Sequence, residues 1–425
     1  MKSPVPAQEN TEIAMTKVPK DYPKPSVALL THYSEGGVGT QVAHTVRTLS
    51  QKGFSCRIVR YMPYRLDSSL SVPSWKPGLR PAMRVHRGCI GECPVTFHDI
   101  GILLPELESA RHLCWKHFRD TVASSQYHIV VSGNPLPGYI AARLQLPCMG
   151  WVASEFDDDR KDRRIRFPWY RRLVENCFDA PLCRYEQRIA LDHMHTAAVS
   201  QYTRKRLLRI MKRRPSAMPP SIGYIPIPID TEFFTPPSGK RIPGRIGFAG
   251  RYKDPRKNLP LLLRAFRLAM SRSESPLTLE IMGVGDPYEF LPYARRMGIS
   301  DSVIFTPYGS REKLRDFYRR ISLLAIPSVQ EGLGIVGLEA MSCTTPVVST
   351  RCGGPEDFIR QGHNGILCDF STKEFADGLL KLISQPWRSD DLGRNGRKYV
   401  CHNHNAEAMQ ESFWKHFNMT FKTHL

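Results

Sequence analysis

No stretch of the 425-residue chain approaches the roughly 20 consecutive apolar residues that a membrane-spanning helix requires. Residues 1–25 are polar and rich in Pro and Lys, and they lack the apolar core of a secretory signal. These two absences predict a soluble cytoplasmic protein with a flexible amino-terminal tail. The eleven cysteines are scattered without the spacing of a disulfide framework, and their odd number leaves at least one unpaired, which fits a reducing compartment. Acidic side chains are also scarce. Asp plus Glu number 40 against 60 Lys plus Arg, and the net charge of +20 calls for an anionic partner: a membrane surface, a nucleic acid or a phosphorylated substrate. No base-reading motif accompanies that charge, so nucleic acid is not expected.

What is present supports a filled interior. Hydrophobic residues at 41% and aromatics at 10% argue against disorder, and the length exceeds one usual core and suits two domains. Short apolar runs at Ser26 to Thr31, Phe54 to Arg60, Tyr127 to Val131 and Cys148 to Ala153 read as strands, with Val38, Val42, Val46 and Leu49 at helical spacing after the first. The pattern restarts with strands at Arg245 to Ala249, Leu277 to Met282, Val303 to Thr306 and Leu323 to Ile326, and a helix over Leu259 to Met270. Such alternation predicts two α/β units with parallel sheets. The expected divisions are a tail over 1–25, a first Rossmann-like domain over 26–230, a linker over 231–243, a second Rossmann-like domain over 244–385, and a helical segment over 386–425 packing back toward the first.

The most informative stretch runs from Pro327 to Glu339. Glu331 and Glu339 stand eight positions apart around a glycine-bearing turn that leaves a buried strand and enters a helix predicted over Ile335 to Met341. Glu331 therefore falls at the carboxyl end of a strand, where open α/β sheets bind ligands. Backbone N–H groups around Gly332, Leu333, Gly334 and Ile335 suit a diphosphate. Eight helical positions would span roughly 12 Å, about the reach from a hexose to a ribose. One carboxylate can then hold sugar hydroxyls and the other ribose hydroxyls.

Two further segments concern phosphate. Gly36, Gly37 and Gly39 follow the first strand and leave room for a phosphate or sugar beside the main chain. A P-loop is excluded, because Thr40 stands where the gripping lysine belongs and Glu35 would repel a triphosphate; a dinucleotide fingerprint is excluded by Val42 at its third glycine. Gly250-Arg251-Tyr252-Lys253-Asp254-Pro255-Arg256-Lys257-Asn258 follows a strand and precedes an amphipathic helix, so its cations can meet a departing diphosphate. For Lys253 and Arg256 a solvated surface role is expected.

These segments resemble the retaining glycosyltransferases of family 4, the glycosyl transferases group 1, whose Glu-x7-Glu signature Glu331 and Glu339 match. Ile225 to Phe234 resembles the interdomain segment of that family, with Ile227 and Pro228 in place of Asn-Gly, and Cys352 to Glu356 and His363 to Leu367 match segments after the second glutamate. The resemblance implies a GT-B fold, two Rossmann-like domains facing each other across a cleft. It assigns Arg251 and Lys257 to the diphosphate, Glu331 to the donor sugar, Glu339 to the ribose, Gly283 to the base, and Gly36 and Gly37 to the first loop of the site. The implied activity is transfer of a sugar from a UDP, GDP or ADP sugar to a glycan or lipid-linked acceptor, with retention of configuration, no metal and no cofactor. Family members carry a donor-contacting histidine where Gly150 to Asp157 has none, leaving Ser154, Glu155 or Asp157 as replacements.

Rival readings stay open. A glycosyl phosphorylase or sugar-nucleotide epimerase would use the same architecture without a glycan acceptor, and a silent binding protein would keep the basic surface without turnover. A glycosidase would set its two carboxylates across a sugar, but the phosphate-binding loops oppose that reading. Asp157-Asp158-Asp159 reads as an acidic loop or acceptor contact before a metal site, and His86, Cys89, Cys93 and His98 fit no zinc spacing. Residues 160–172 and 204–214 mix cations with apolar or aromatic side chains, which suits an anionic membrane and predicts peripheral attachment to the inner face of the cytoplasmic membrane.

Overall fold

The computed structural model describes residues 24–32, 36–64, 66–76, 78–112, 115–164, 167–211 and 221–425, without the side chains of 111, 112, 115, 159 and 161–163. The amino-terminal tail up to residue 23, Glu35, and parts of both basic stretches (165–166 and 212–214) lie outside the described residues.

Among the described residues, fourteen strands form two sheets. The first contains β1 (Ser26–Thr31), β2 (Ser55–Met62), β3 (Met83–Ile90), β4 (Cys93–Gly101), β5 (Tyr127–Ser132), β6 (Met149–Val152), β7 (His195–Ala198) and β8 (Gly223–Tyr224), in the order β3-β4-β2-β1-β5-β6-β7-β8. The second contains β9 (Arg245–Ala249), β10 (Thr278–Gly283), β11 (Val303–Pro307), β12 (Leu323–Ile326), β13 (Val347–Thr350) and β14 (Ile366–Cys368), in the order β11-β10-β9-β12-β13-β14. Central strands such as β1 and β12 are buried on both faces, as parallel strands covered by helices must be. The helix Leu259–Met270 turns Leu259, Leu262, Leu263 and Phe266 inward, and its proline sits in the first turn, where no intrahelical N–H is lost.

Three expectations need correction. The first sheet is not wholly parallel, since β3 pairs antiparallel with β4. That hairpin was not expected because β3 is an edge strand, exposed along most of its length and so without an apolar pattern. Gly36, Gly37 and Gly39 do not form an open loop; they are the first turn of the helix Gly36–Gln51, with the positive φ of 59° at Gly36 turning the chain into it. Only part of the Glu331 to Glu339 step is helical, because the helix spans Ile335–Ser342 and is entered through Gly334 at φ 88°. The 12 Å helical span therefore does not apply.

The chain crosses between the sheets over residues 225–243. Trp151 Nε1 donates to the Ile225 carbonyl at 3.0 Å, and the Ile229 N–H donates to the His404 carbonyl at 2.7 Å. The last helix, Ala406–Phe421, returns to the first sheet, where Phe417 lies 5.7 Å from Phe54 and Phe421 lies 5.0 Å from Tyr127, ring centre to ring centre. One buried cluster thus joins residues of both sheets with Phe413 and Phe417.

Candidate functional site

The turn after β12 is fixed before any side chain is considered. The Thr350 hydroxyl donates to the Ser328 carbonyl at 2.5 Å, and the Glu331 backbone exchanges hydrogen bonds with Cys352 and Gly354 at 2.8 and 2.9 Å. The Val329 N–H donates to the Arg256 carbonyl at 2.7 Å, tying this turn to the segment after β9. On that frame Lys257 Nζ lies 2.6 Å from Glu331 Oε1, which also accepts the Ser328 hydroxyl at 2.7 Å. The side chains of Lys257 and Glu331 are 17% and 12% exposed, so this charge pair is largely sheltered yet reachable. The lysine stem runs beside Gly250, where a Cβ would lie 3.5 Å from Cε. Ser328 escaped the sequence reading although it stands three residues before Glu331 in the same turn.

Glu339 lies on the helix Ile335–Ser342, and its Oε2 accepts the Tyr318 hydroxyl at 2.8 Å. Burial of the carboxyl group pushes its pKa up to about 7, against the opposing pull of the Tyr318 hydrogen bond and the Arg311 charge. Tyr318, on the helix Arg311–Arg320, is fully buried, and nothing in the local sequence marks it as the partner of a residue 21 positions away.

The remaining donor-side residues divide. Arg251 is 68% exposed and lies 3.5 Å from Asp254. Arg256 is not solvated as expected: its guanidinium is 15% exposed and held by Asp254 at 2.7 Å. Lys253 is solvated and lies 3.1 Å from Glu289. Gly283 lacks a side chain for a packing reason, since a Cβ there would lie 1.7 Å from the Gly250 carbonyl oxygen. Leu333 is buried, with its backbone against Gly354.

Across the cleft, the first sheet grips the same turn. A Cβ on Gly332 would lie 2.2 Å from the Ala153 carbonyl oxygen, so only glycine lets the two sheets approach here. The Gly332 carbonyl accepts the hydroxyls of Ser200 at 2.6 Å and Thr203 at 3.3 Å. The Tyr202 N–H donates to Asp357 at 3.0 Å. Gly37 faces the start of the helix Ile335–Ser342, its would-be Cβ 3.1 Å from Ile335. Gly37, Gly332, Leu333 and Gly334 thus lie at one helix entrance, with the Lys257–Glu331 pair in the turn before it and Glu339 within the helix.

Beside this entrance, a cavity of about 450 Å³ is lined by Asp157, Asp158, Arg164, Arg184, Tyr202, Arg206, Val329 and Gln330. Asp157 is paired with Arg184 at 2.9 Å, and Arg206 lies 2.8 Å from Glu155 and 2.5 Å from Asp158. Burial pushes the pKa of Glu155 up, helped by the Asp158 charge. Ser154 donates to the Gly133 carbonyl at 2.8 Å. Ser200 and Tyr202 were not singled out in the sequence, since no phosphate motif surrounds them, and Arg206 was read only as part of the basic stretch 204–214. Among the described residues, no group of three or more His, Cys, Asp and Glu side chains is placed to hold a metal ion. His86 is stacked on Phe97 across the β3–β4 hairpin, 3.7 Å from Asp99.

The family described as glycosyl transferases group 1 matches residues 238–399, the segment that supplies Lys257, Glu331 and Glu339. D-inositol 3-phosphate glycosyltransferase of Rhodococcus erythropolis is 34% identical over 187 residues, 41% of this chain and 42% of that protein. The similarly named protein of Kribbella flavida is 29% identical over 197 residues, 42% of this chain and 46% of that one. The chain spans less than half the length of these curated relatives. Among solved structures, sucrose-phosphate synthase from Thermosynechococcus elongatus superposes with a TM-score of 0.70 at 18% identity, covering 94% of this chain and all of that one. Anabaena HepE in complex with UDP superposes with a TM-score of 0.65 at 13% identity, covering 93% and 100%. Both likenesses show the GT-B fold. Residues 238–399 thus resemble the glycosyl transferases group 1 family, and this matched segment carries the paired lysine and glutamate and the second glutamate beyond them.

Proposed function

We propose that this chain is a retaining glycosyltransferase that moves a sugar from a nucleoside diphosphate sugar to an acceptor hydroxyl. The observation that carries the proposal is the contact of Lys257 Nζ with Glu331 at 2.6 Å, at the entrance of a helix whose first turns lead to Glu339. A helix of this kind offers unpaired N–H groups and the positive end of its dipole to an anion. Lys257 adds a full charge, so the electrons left on the diphosphate when the anomeric bond breaks are stabilised without a metal or cofactor. Glu331 accepts hydrogen bonds from sugar hydroxyls, and Glu339 accepts them from ribose hydroxyls. Gly36 and Gly37 close the same entrance from the first sheet, Gly283 shapes the base side, and exposed Arg251 swings toward the diphosphate when the donor arrives.

The acceptor oxygen attacks from the side on which the diphosphate departs and gives its proton to a phosphate oxygen of that leaving group. One anomeric bond breaks, one forms, and configuration is retained. Here the protein acts by holding both partners in register and by stabilising charge. The acceptor enters against the first sheet, where Asp157 and Asp158 line the cavity beside Gln330. UDP is the first donor nucleotide to try, since the structurally similar HepE is described in complex with UDP and with UDP-glucose.

Calorimetric titration with UDP, GDP and ADP tests the site. Selective binding by wild type, weakened about tenfold or more by Lys257→Ala through loss of a charge-assisted contact, is the expected result. Release of nucleoside diphosphate in step with an acceptor, giving a product of unchanged anomeric configuration by NMR, tests the reaction. Turnover only with inorganic phosphate would replace the proposal with a phosphorylase, and inversion would overturn the mechanism.

A further inference from the structure

The first half of the helical run Trp169–His193 is built inside out. It consists of a helix over Trp169–Val174, a π-helical turn over Glu175–Asp179 and a helix over Ala180–His193. A surface helix of a soluble protein normally turns its apolar side to the core. Here Glu175 and Asp179 are buried, and Glu186 and Gln187 lie inward beside the small or apolar Ala180, Cys183, Ala190 and Leu191, whereas Trp169 (73% exposed), Tyr170, Leu173, Phe178 (65% exposed), Leu182 and Tyr185 face water. The inward carboxylates have a clear purpose. Glu175 lies 2.9 Å from buried Arg160 and 3.1 Å from Arg164, Asp179 lies 3.5 Å from Arg160, and Glu108 pairs with Arg160 from outside the run.

The outward face is therefore large, apolar and unbalanced in charge. Within residues 169–185 the only carboxylates, Glu175 and Asp179, are buried, while Arg171 and Arg172 remain at or near the surface and Arg184 is paired with Asp157. A patch of this kind marks an interaction site. Its charge selects the partner: a second copy of a chain carrying +20 would bring cations to cations, whereas an anionic lipid surface supplies both an apolar layer and the opposite charge. Trp and Tyr beside Arg suit the headgroup boundary, where an apolar ring can sink while its polar edge stays hydrated.

We propose that the outer face of residues 169–185 docks this protein on an anionic membrane surface. The structure moves this role away from the other basic stretch expected to share it. On the helix Gln201–Met211, Leu207 is buried and Leu208, Ile210 and Met211 pack against the cluster around it, leaving Lys205 and Arg209 as a solvated basic face. The docking face also adjoins the acceptor-side cavity, because Arg184 belongs to both. Among the described residues no helix is long and apolar enough to cross a membrane, so the contact is one of surface attachment.

Co-sedimentation at low salt with vesicles of phosphatidylcholine alone, and of phosphatidylcholine with about one-third phosphatidylserine, tests the proposal, since anionic headgroups supply the attraction. Wild type is expected to pellet with the anionic vesicles and not the neutral ones. The triple variant Trp169→Ser, Leu173→Ser, Phe178→Ser is expected to lose that binding by about tenfold or more, because the buried apolar area is removed. Arg172→Glu alone, an exposed change that leaves the inner ion pairs intact, should also weaken it about tenfold. Circular dichroism and UDP titration confirm that each variant is folded. Wild type remaining in the supernatant, equal binding by folded variants, or self-association of wild type that the triple variant abolishes would each overturn the proposal.

Discussion

Glu339 combines two demands that conflict, since a carboxyl group suited to accepting hydroxyl hydrogen bonds is placed where burial favours its neutral form. With its pKa raised to about 7, the folded protein holds this proton at pH values where the unfolded chain has lost it. Its contribution to stability is complete below the ordinary carboxylate range and is lost as pH rises through about 7. Nucleotide binding should show the reverse. If ribose hydroxyls select the ionised form, UDP affinity should fall below the titration point by up to about tenfold per pH unit, and Glu339→Gln should flatten the profile. Calorimetry across that range checks it, and a wild-type profile already flat would remove Glu339 from the ribose. At this scale the sequence was partly legible. Lys257 and Glu331 could be chosen because each sits in a short segment whose glycines and prolines announce a turn. Ser328 was within reach of the same reasoning, but Tyr318 was not, because its contact with Glu339 depends on two helices meeting and leaves no trace in spacing.

Helices and strands were legible where burial wrote a pattern. β1, β9, β12 and the helix Leu259–Met270 are apolar along their buried faces, and their expected limits lie close to those observed. The β3–β4 hairpin was missed because its outer strand faces water and needs no apolar alternation. The stretch Trp169–Asp179 resisted reading for the opposite reason: its large apolar side chains are outside, so periodicity points to the wrong face. What orients that run is Arg160, buried among Glu108, Glu175 and Asp179. Arg160→Ala would leave these carboxylates without their central cation, and such a loss costs about 3–5 kcal/mol. Urea denaturation should show a correspondingly lower midpoint, with part of the loss recovered at low pH as the carboxylates protonate. An unchanged midpoint would mean that packing, not charge, orients the run.

For the whole molecule, the joint between the sheets matters more than either sheet alone. Two hydroxyls, from Ser200 and Thr203, meet the Gly332 carbonyl, and the Tyr202 N–H meets Asp357 nearby. Replacing both hydroxyls, Ser200→Ala with Thr203→Val, should loosen the joint while leaving donor contacts in the second sheet untouched. Small-angle X-ray scattering should then report a larger radius of gyration. An unchanged radius would show that the buried cluster shared with Phe413 and Phe417 holds the sheets together by itself.

Gly332 immediately follows Glu331, the residue proposed to hold the donor sugar, so latch and sensor share a single peptide link. A bound donor that shifts Glu331 also moves the acceptor on which the opposite sheet hangs. On that proposed assignment, the strength of the joint and the affinity for donor would be linked, so that whatever loosens one alters the other.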